Sequence, residues 1–313
     1  MPSRIKAWDV VVAGDYFLDI VMSGFGHFPR LGEEAFAQRL HQDIGGGAAI
    51  TSCGLAKLGV NVAVLGVVGA ADGMWLVKRL IAAGVHASAL EHHPNEPSGV
   101  TVSVSTPQDR AFYTYYGANE HLQNLLKEPE ALQSMLLARH VHFACGPDPE
   151  TDVELFRSLT RAGVRVSIDV GWHEPWLADP RSLDLLREAD LFFPNEREGE
   201  RLTGQSEPRE MLNWLWDQGV ERVALKLGSQ GAMAMWHGRI HYCPPYPVKP
   251  VDTTGAGDSF DAGFIYGWLQ GLVPEECLRV AAICGALSTR GLGGLMTFPD
   301  KEELEEVLAE VMK

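Results

Sequence analysis

The sequence predicts an α/β fold: a central, mostly parallel sheet flanked by helices, with a small β-strand lid. Between residues 129 and 236, apolar strand-like runs alternate with helical stretches, which is typical of a parallel sheet covered on both faces. Segments 34–44 and 98–116 instead alternate apolar and polar residues, as strands with one exposed face do. We therefore expect a single α/β domain over residues 1–313, with lid strands at 34–44 and 98–116 inserted within it.

The N-terminal elements follow from hydrophobic runs and glycine stops. Residues 9–22 form a pattern typical of a buried strand that runs into a polar turn, and 34–44 follows as a more exposed strand. Glycines at 45–47 precede a helix of small residues that ends at Gly59. The next elements are a strand at 61–69, a helix at 72–84, and two lid strands joined by a turn at Pro107 to Asp109.

The rest of the chain repeats a strand and helix unit and then ends in helices. Strands are expected at 141–146, 164–171, 190–195 and 221–236. Helices are expected at 129–139, 151–163, 180–189, 196–204, 209–219, 255–271, 274–290 and 301–313. This order gives each inner strand a helix to cover it.

Polar side chains follow many of these strands. In open α/β sheets, ligands bind beyond the carboxyl ends of the strands. The polar residues at these positions are Asp15, Asp19, Asp169, Asn195, Glu196, Glu198, Lys226, Ser229 and the turn at 252–258. We expect them to share one edge of the sheet.

Composition excludes several classes of protein. A net charge of −15 argues against nucleic acid and anionic membrane surfaces as partners. No apolar run approaches the length of a membrane span, and the N-terminus lacks the features of a signal peptide. The five cysteines are scattered and have no CxxC spacing, so we expect buried, reduced thiols in a cytoplasmic protein.

The stretch "VDTTGAGDSF" (251–260) holds two acids, Asp252 and Asp258, around a glycine turn. Apolar residues at helical spacing follow it, so Asp258 lies in or near the first turn of a helix. Free backbone N–H groups and the helix dipole attract anions there. Gly255 and Gly257 let the backbone approach a bound group. Helix capping accounts for one of these polar residues, but not for a small-residue turn between two acids, so we expect an anion site with an acid beside it.

Known glycine-rich loops do not match this turn. The spacing fits neither GxxxxGK[ST] nor GxGxxG. A second glycine-rich segment, "LGVVGAADG" (65–73), lies between a strand and a helix, which raises an NAD-dependent oxidoreductase as an alternative. Its glycines are three and four residues apart and lack the paired GxG turn, which disfavours that alternative.

The chain resembles the ribokinase-like (pfkB-type) family of carbohydrate kinases over essentially its whole length. "DTTGAGDSFDAGF" (252–264) is similar to the family's C-terminal signature, and the glycines of segment 45–75 are similar to its N-terminal signature. Segments 194–204, 225–233 and 117–122 resemble its Asn-Glu-x-Glu, nucleotide-side and lid sequences. The resemblance implies ATP-dependent phosphorylation of a hydroxyl group, with ATP and Mg²⁺ as cofactors.

The resemblance also implies roles on the nucleotide side. Asp258 would accept the hydroxyl proton, and the N–H groups of Gly255, Ala256 and Gly257 would form a hole for the phosphoryl charge. Glu198 would act on Mg²⁺ through water. Asp252 matches a monovalent-cation position, which makes K⁺ a candidate cofactor, or it only caps the turn. The residues implied in nucleotide binding are Asn195, Lys226, Gly228 and Gly231.

On the acceptor side, Asp19 matches the acid that holds sugar hydroxyls, and Gly45, Gly46 and Gly47 would permit close approach. Asp15 would assist or cap its turn. Ile50 stands where many relatives have a sugar-binding Asn, so Thr51 or the lid must replace that contact.

The sequence also bears on the acceptor's charge. Gly117 stands where kinases of acidic sugars place an Arg, which favours a neutral sugar as the acceptor. A nucleoside is the second alternative. A silent regulatory protein that binds sugar or nucleotide is the third, and a homodimer formed through the lid is a candidate arrangement.

Overall fold

The computed structural model describes residues 6–105 and 110–311. The predicted turn at Pro107 to Asp109 lies outside the described residues. The strands, β1 to β13 in chain order, are Trp8–Gly14, Phe17–Ser23, Arg39–Gly45, Val62–Gly69, Leu90–His93, Gly99–Ser105, Arg110–Tyr115, Ala138–Ala144, Arg165–Ile168, Leu191–Phe192, Arg222–Lys226, Ala232–Trp236 and Arg239–Cys243. The helices, α1 to α12, are Gly47–Lys57, Met74–Ala82, Leu122–Leu126, Pro129–Leu136, Val153–Arg161, Glu174–Ala178, Ser182–Glu188, Glu196–Thr203, Pro208–Asp217, Ala256–Leu269, Pro274–Ser288 and Lys301–Val311.

The larger sheet is mostly parallel, as predicted. Its order is β13-β12-β11-β10-β9-β8-β1-β4-β5. Every neighbouring pair from β11 to β5 is parallel, whereas β12 and β13 are antiparallel additions at one edge. The inner strand β1 buries Val10, Val11 and Val12 almost completely, as expected for a strand with both faces covered.

The lid is a smaller sheet of four strands in the order β3-β2-β6-β7. The buried strand expected within residues 9–22 ends at Gly14, and a second strand that was not expected begins at Phe17, because the chain leaves the larger sheet there and enters the lid. Asn119 holds this corner: its side chain accepts from the backbone N–H of Tyr16 at 3.0 Å and donates to the Tyr16 carbonyl at 3.1 Å. The lid strand expected from residue 34 begins only at Arg39.

A hairpin replaces the single strand expected at 221–236. Strands β11 and β12 pair antiparallel around a short 3-10 turn at Gly228–Gln230. Gly228 has φ 56° and Gly231 has φ 90°, backbone conformations that favour glycine. The turn therefore depends on the two glycines of the "GSQG" sequence.

Two hydrophobic clusters cover the opposite faces of the larger sheet. Helices α1, α2, α10 and α11 contribute to one cluster, and α4, α5, α7 and α9 to the other. Helix α10 lies deep in the first cluster, where Phe264 is fully buried and contacts Phe193, Trp236 and Phe260. In the described part of the chain, no helix combines the length and apolar character needed to cross a membrane.

We expect Phe264→Ala to destabilise the protein by about 3–5 kcal/mol, because it removes a fully buried ring and leaves a cavity. Chemical denaturation followed by intrinsic fluorescence measures this loss. Ile81→Ala, at an exposed helical position, serves as the control and should change stability by less than about 0.5 kcal/mol. Equal effects of the two substitutions would contradict this description of the core.

Candidate active site

The polar residues at the strand ends surround two cavities that share Asp169, Gly171 and Asp258. One cavity has a volume of about 730 Å³ and lies beneath the lid. The other has a volume of about 650 Å³ and lies on the other side of Asp258. Asp258 therefore lies in the walls of both cavities.

Helix α10 brings Asp258 to this position. The N-cap of the helix is Gly255, which has φ 71°, and the N–H groups of its first turn have no carbonyl partner within the helix. The Ala256 N–H is partly engaged, since it donates to the Thr253 carbonyl at 3.3 Å. Gly257 lines the smaller cavity together with Asp258. This end of α10 is thus suited to an anion.

The carboxyl group of Asp258 has a raised pKa of about 6, because it is desolvated and because the negative charge of Asp169 lies nearby. The positive charge of Lys226 acts in the opposite direction. A Cβ at Gly47 would lie 2.8 Å from Oδ1 of Asp258, so the first glycine turn passes directly beside this carboxyl group. A carboxylate with a pKa near neutrality is suited to accept a proton.

Lys226 forms a buried ion pair with Asp169, with 2.6 Å between Nζ and Oδ2. Asp261 contacts the same ammonium group at 3.3 Å. Sequence reasoning missed Asp261 because it lies in an apolar helix. The available signal was its spacing of three residues from Asp258, which places both acids on one side of α10.

Asp169, Asp258 and Asp261 could together hold a metal ion, since one oxygen of each lies within 4.8 Å of the others. The Lys226 ammonium already contacts two of these acids. Because this cation compensates the cluster, we do not assign a metal to it.

Asn195 and Glu198 line the smaller cavity and form the capping box of α8. The Glu198 N–H donates to Oδ1 of Asn195 at 3.0 Å, and the Asn195 N–H donates to Oε2 of Glu198 at 2.8 Å. Burial, followed by the charge of Asp169, raises the pKa of Glu198 to about 7. Lys226, Gly228 and Gly231 line the same cavity, so the residues expected on the nucleotide side lie together.

Asp252 ties its turn to a neighbouring loop. Its Oδ1 accepts from the N–H and hydroxyl of Thr254 at 3.0 and 2.8 Å, and its Oδ2 accepts from the Gly293 N–H at 3.0 Å. These contacts are those of a turn cap, and they leave the cation role as a proposal.

The two acids expected on the acceptor side occupy different places. Asp15 lines the larger cavity and accepts from the Tyr116 hydroxyl at 3.0 Å; burial raises its pKa to about 6. Asp19 lines a separate cavity of about 20 Å³ under the lid. Its pKa is raised to about 7 by burial and by the nearby charge of Asp258. A Cβ at Gly45 would overlap the Asp19 carboxylate.

Thr51 does not reach an acceptor cavity. It is fully buried, and its hydroxyl donates to the backbone carbonyl of Asp258 at 3.2 Å. Its placement gives no support to the expected sugar contact and instead assigns it to holding the start of α10. Ile50 is also buried, and a Cβ at Gly255 would lie 2.6 Å from its Cδ1. Ile50 therefore packs against the glycine turn.

Comparison with known proteins agrees with this geometry. Residues 8–300 match the model of the pfkB family carbohydrate kinases. The chain belongs to the pfkB family. It is therefore an ATP-dependent carbohydrate kinase, a phosphotransferase with an alcohol group as acceptor.

Individual relatives cover most of the chain. A ribokinase from Arabidopsis thaliana is 30% identical over 96% of this chain and 80% of its own length. A 2-dehydro-3-deoxygluconokinase from Bacillus subtilis is 28% identical over 85% of this chain and 86% of its own. The structure of Arabidopsis ribokinase complexed with ribose and ATP superposes with a TM-score of 0.85 at 27% identity, covering 96% of this chain and 99% of that one. The family match confirms the predicted ribokinase-like fold.

We expect Asp258→Asn to raise the melting temperature at pH 7.5. The folded-state pKa of Asp258 lies above its ordinary value, so the carboxyl group stabilises the fold at low pH and this contribution is lost as pH rises through about 6. The neutral amide of the variant does not ionise, so the variant does not lose stability over this pH range. Its higher melting temperature relative to the wild type should therefore shrink as pH falls toward 4. Calorimetry over this pH range measures it, with Asp217→Asn at an exposed position as the control. A variant less stable than the wild type at pH 7.5 would contradict the pKa assignment.

Proposed function

We propose that this kinase transfers a phosphoryl group from ATP to a hydroxyl group of a neutral sugar, with Asp258 as the general base. The observation that supports this most strongly is the position of Asp258, in the first turn of α10 and in the walls of both cavities. A base must reach the acceptor hydroxyl and the transferred group at once. No other acid of the described residues combines this position with a helix N-terminus.

The smaller cavity is the proposed nucleotide site. Its walls include Lys226, Gly228 and Gly231, and Gly255, Ala256 and Gly257 form the proposed hole for the phosphoryl charge. Asn195 and Glu198 would hold Mg²⁺ through water, since carboxylate and amide oxygens suit this ion. When bound, Mg²⁺ neutralises phosphate charge. Asp252 remains the proposed position for a monovalent cation such as K⁺.

The larger cavity is the proposed acceptor site. Six acidic residues contribute to its walls, and none of its lining residues is Lys or Arg. Three of these acids are paired with cations outside the wall: Asp148 with Lys127, Asp169 with Lys226 and Asp179 with Arg181. The wall itself still offers carboxylate oxygens to hydroxyl groups and no cation to an anion, so it favours a neutral polyol over a sugar acid or a sugar phosphate. Asp15 and Gly47 lie in this wall. Asp19, Gly45 and Gly46 do not line it: Asp19 faces the separate cavity of about 20 Å³ under the lid, and these three stay proposed sugar contacts. The acids in the wall are Asp15, Glu120, Asp148, Asp169, Asp179 and Asp258.

A nucleoside is the second candidate. Trp172 and Trp176 line the same cavity, and Trp172 is half-exposed. An exposed aromatic face can stack on a planar base, so the cavity accommodates this alternative as well.

A matched acceptor panel tests the proposed function. We expect ADP release from ATP and Mg²⁺ with neutral sugars or nucleosides, and far slower release with the corresponding sugar acids and sugar phosphates, because the cavity walls are acidic. A coupled assay for ADP measures the rates. Preference for an acid over its parent sugar would contradict the assignment of a neutral acceptor. No ADP release with any acceptor of the panel would contradict the proposal that the acceptor is a neutral sugar or a nucleoside.

We expect Asp258→Asn to lower kcat by about 10²- to 10⁴-fold, the usual contribution of a positioned base. In the wild type, kcat/KM should rise with pH through about 6, because Asp258 must lose its proton to act and its pKa is raised to that value. Initial rates from pH 5 to pH 8 measure both effects. An Asp258→Asn variant with full activity would remove the base assignment.

A further inference from the structure

A buried cluster of one cation and two acids lies directly behind the proposed base. We call Lys226, Asp169 and Asp261 the lysine cluster. Lys226 comes from the end of β11, Asp169 follows β9, and Asp261 belongs to α10. Asp169 is 8% exposed and Asp261 is fully buried. Three separate elements thus contribute side chains to one contact.

The position of Asp169 is tightly fixed. Its N–H donates to the Phe143 carbonyl at 2.9 Å, and its Oδ1 accepts from the Gly171 N–H at 2.9 Å. Its Oδ2 is left to contact Lys226 at 2.6 Å. Asp169 therefore holds the ammonium group from the side of the sheet.

Asp261 holds the same ammonium group from the side of the helix. Its two carboxyl oxygens lie 3.3 and 3.4 Å from Nζ of Lys226. One oxygen each of Asp169, Asp258 and Asp261 lies within 4.8 Å of the others, and the Lys226 ammonium, whose side chain is 11% exposed, contacts two of these acids. Complete ionisation of all three acids would leave uncompensated negative charge largely away from water. One carboxyl group must therefore retain a proton. Asp261 is that group, since burial raises its pKa well above the ordinary value. Burial also acts to raise the pKa of Asp169, but the Lys226 charge together with hydrogen bonds from Asp261, Lys226 and the Gly171 N–H outweighs it and lowers the pKa to about 2.

The ammonium group also lies next to the glycine turn of α10. A Cβ at Gly257 would be 3.4 Å from Nζ of Lys226, and Lys226 lines the smaller cavity with Gly257 and Asp258. A cation at this point lies beside the proposed path of the phosphoryl group.

We propose that Asp261 is a positioning residue that, with Asp169, fixes the Lys226 ammonium beside Gly257, where it neutralises charge on the transferred phosphoryl group. This inference rests on the proposed function. Asp261 touches neither substrate, and it acts through Lys226. Preorganised charge of this kind lowers the barrier because it needs no reorganisation during the reaction.

Two substitutions at Asp261 separate positioning from packing. Asp261→Asn keeps the shape of the protonated acid, with a donor for the hydrogen bond to Asp169 and an acceptor for Lys226, so we expect a kcat within about threefold of the wild type. Asp261→Ala keeps the helix but removes both contacts, and we expect kcat to fall by about 10- to 100-fold, as when one charge-stabilising group is lost. KM for the acceptor should stay unchanged. Asp190→Asn is the control, since Asp190 is a partly buried acid that accepts from the Val166 N–H at the opposite edge of the sheet.

A binding experiment gives a readout that does not depend on turnover. By calorimetry, we expect Asp261→Ala to weaken binding of ATP with Mg²⁺ by about tenfold and to leave binding of adenosine, which has no phosphates, unchanged. If the alanine variant fails to fold, Asp261→Ser provides the same comparison with a smaller loss of polarity.

The outcomes distinguish the two proposals. Wild-type kcat and ATP affinity in the alanine or serine variant would overturn the positioning role of Asp261. Equal losses of kcat in the asparagine and alanine variants would overturn the assignment of a protonated Asp261, because the reaction would then require a charged carboxylate at this position. A wild-type protein that binds ATP but phosphorylates no acceptor would contradict the proposed function, while the comparison of ATP with adenosine would still decide the role of Asp261.

Discussion

The close packing of three helices is the constraint on which the site depends. A Cβ at Gly54 of α1 would lie 3.0 Å from Cβ of Ala262 in α10, and a Cβ at Gly263 of α10 would lie 2.9 Å from Cα of Ala281 in α11. Another at Gly285 would lie 3.0 Å from the Ala256 carbonyl oxygen. Because only hydrogen atoms occupy these positions, α10 lies deep against its neighbours. Its first turn can then reach the edge where the strands of the sheet end.

The depth of α10 also determines the electrostatics of the site. Burial brings Asp258 and Asp261 close to Asp169, an arrangement of like charges that would be unstable without Lys226. The balance differs for each acid: Asp169 remains ionised against the ammonium group, whereas the pKa of Asp258 is raised to about 6. A single buried lysine thus allows one acid to act as its counter-ion and another to exchange protons near neutral pH. The contact of Lys226 with Asp169 and Asp261 therefore joins the ends of β11 and β9 to α10 and also balances the charge of the site.

Local patterns predicted the parallel sheet and the helices, because each inner strand is a short apolar run and each helix repeats apolar residues at helical spacing. They did not reveal that β1 and β2 belong to different sheets. The apolar run continues across Asp15 and Tyr16, and the side chain that holds the corner, Asn119, comes from a segment 103 residues later. Glycine and acid spacing in "DTTGAGDSF" indicated the site. The partners of Thr51 and Lys226 depend on tertiary packing, which no local pattern encodes.

The distribution of charge between the two cavities suits transfer of a phosphoryl group from the smaller cavity to the larger one. The smaller cavity offers an anionic nucleotide the start of α10 and the Lys226 ammonium, while the walls of the larger cavity carry acids. Under the proposed function, a neutral sugar enters the larger cavity without electrostatic penalty and receives a phosphoryl group. The product would then be an anion in a cavity whose walls include Asp15 and Asp258, and like charges at short range repel strongly where water is partly excluded. Under this proposal, the acids that would accept hydrogen bonds from the sugar would also favour the departure of the product.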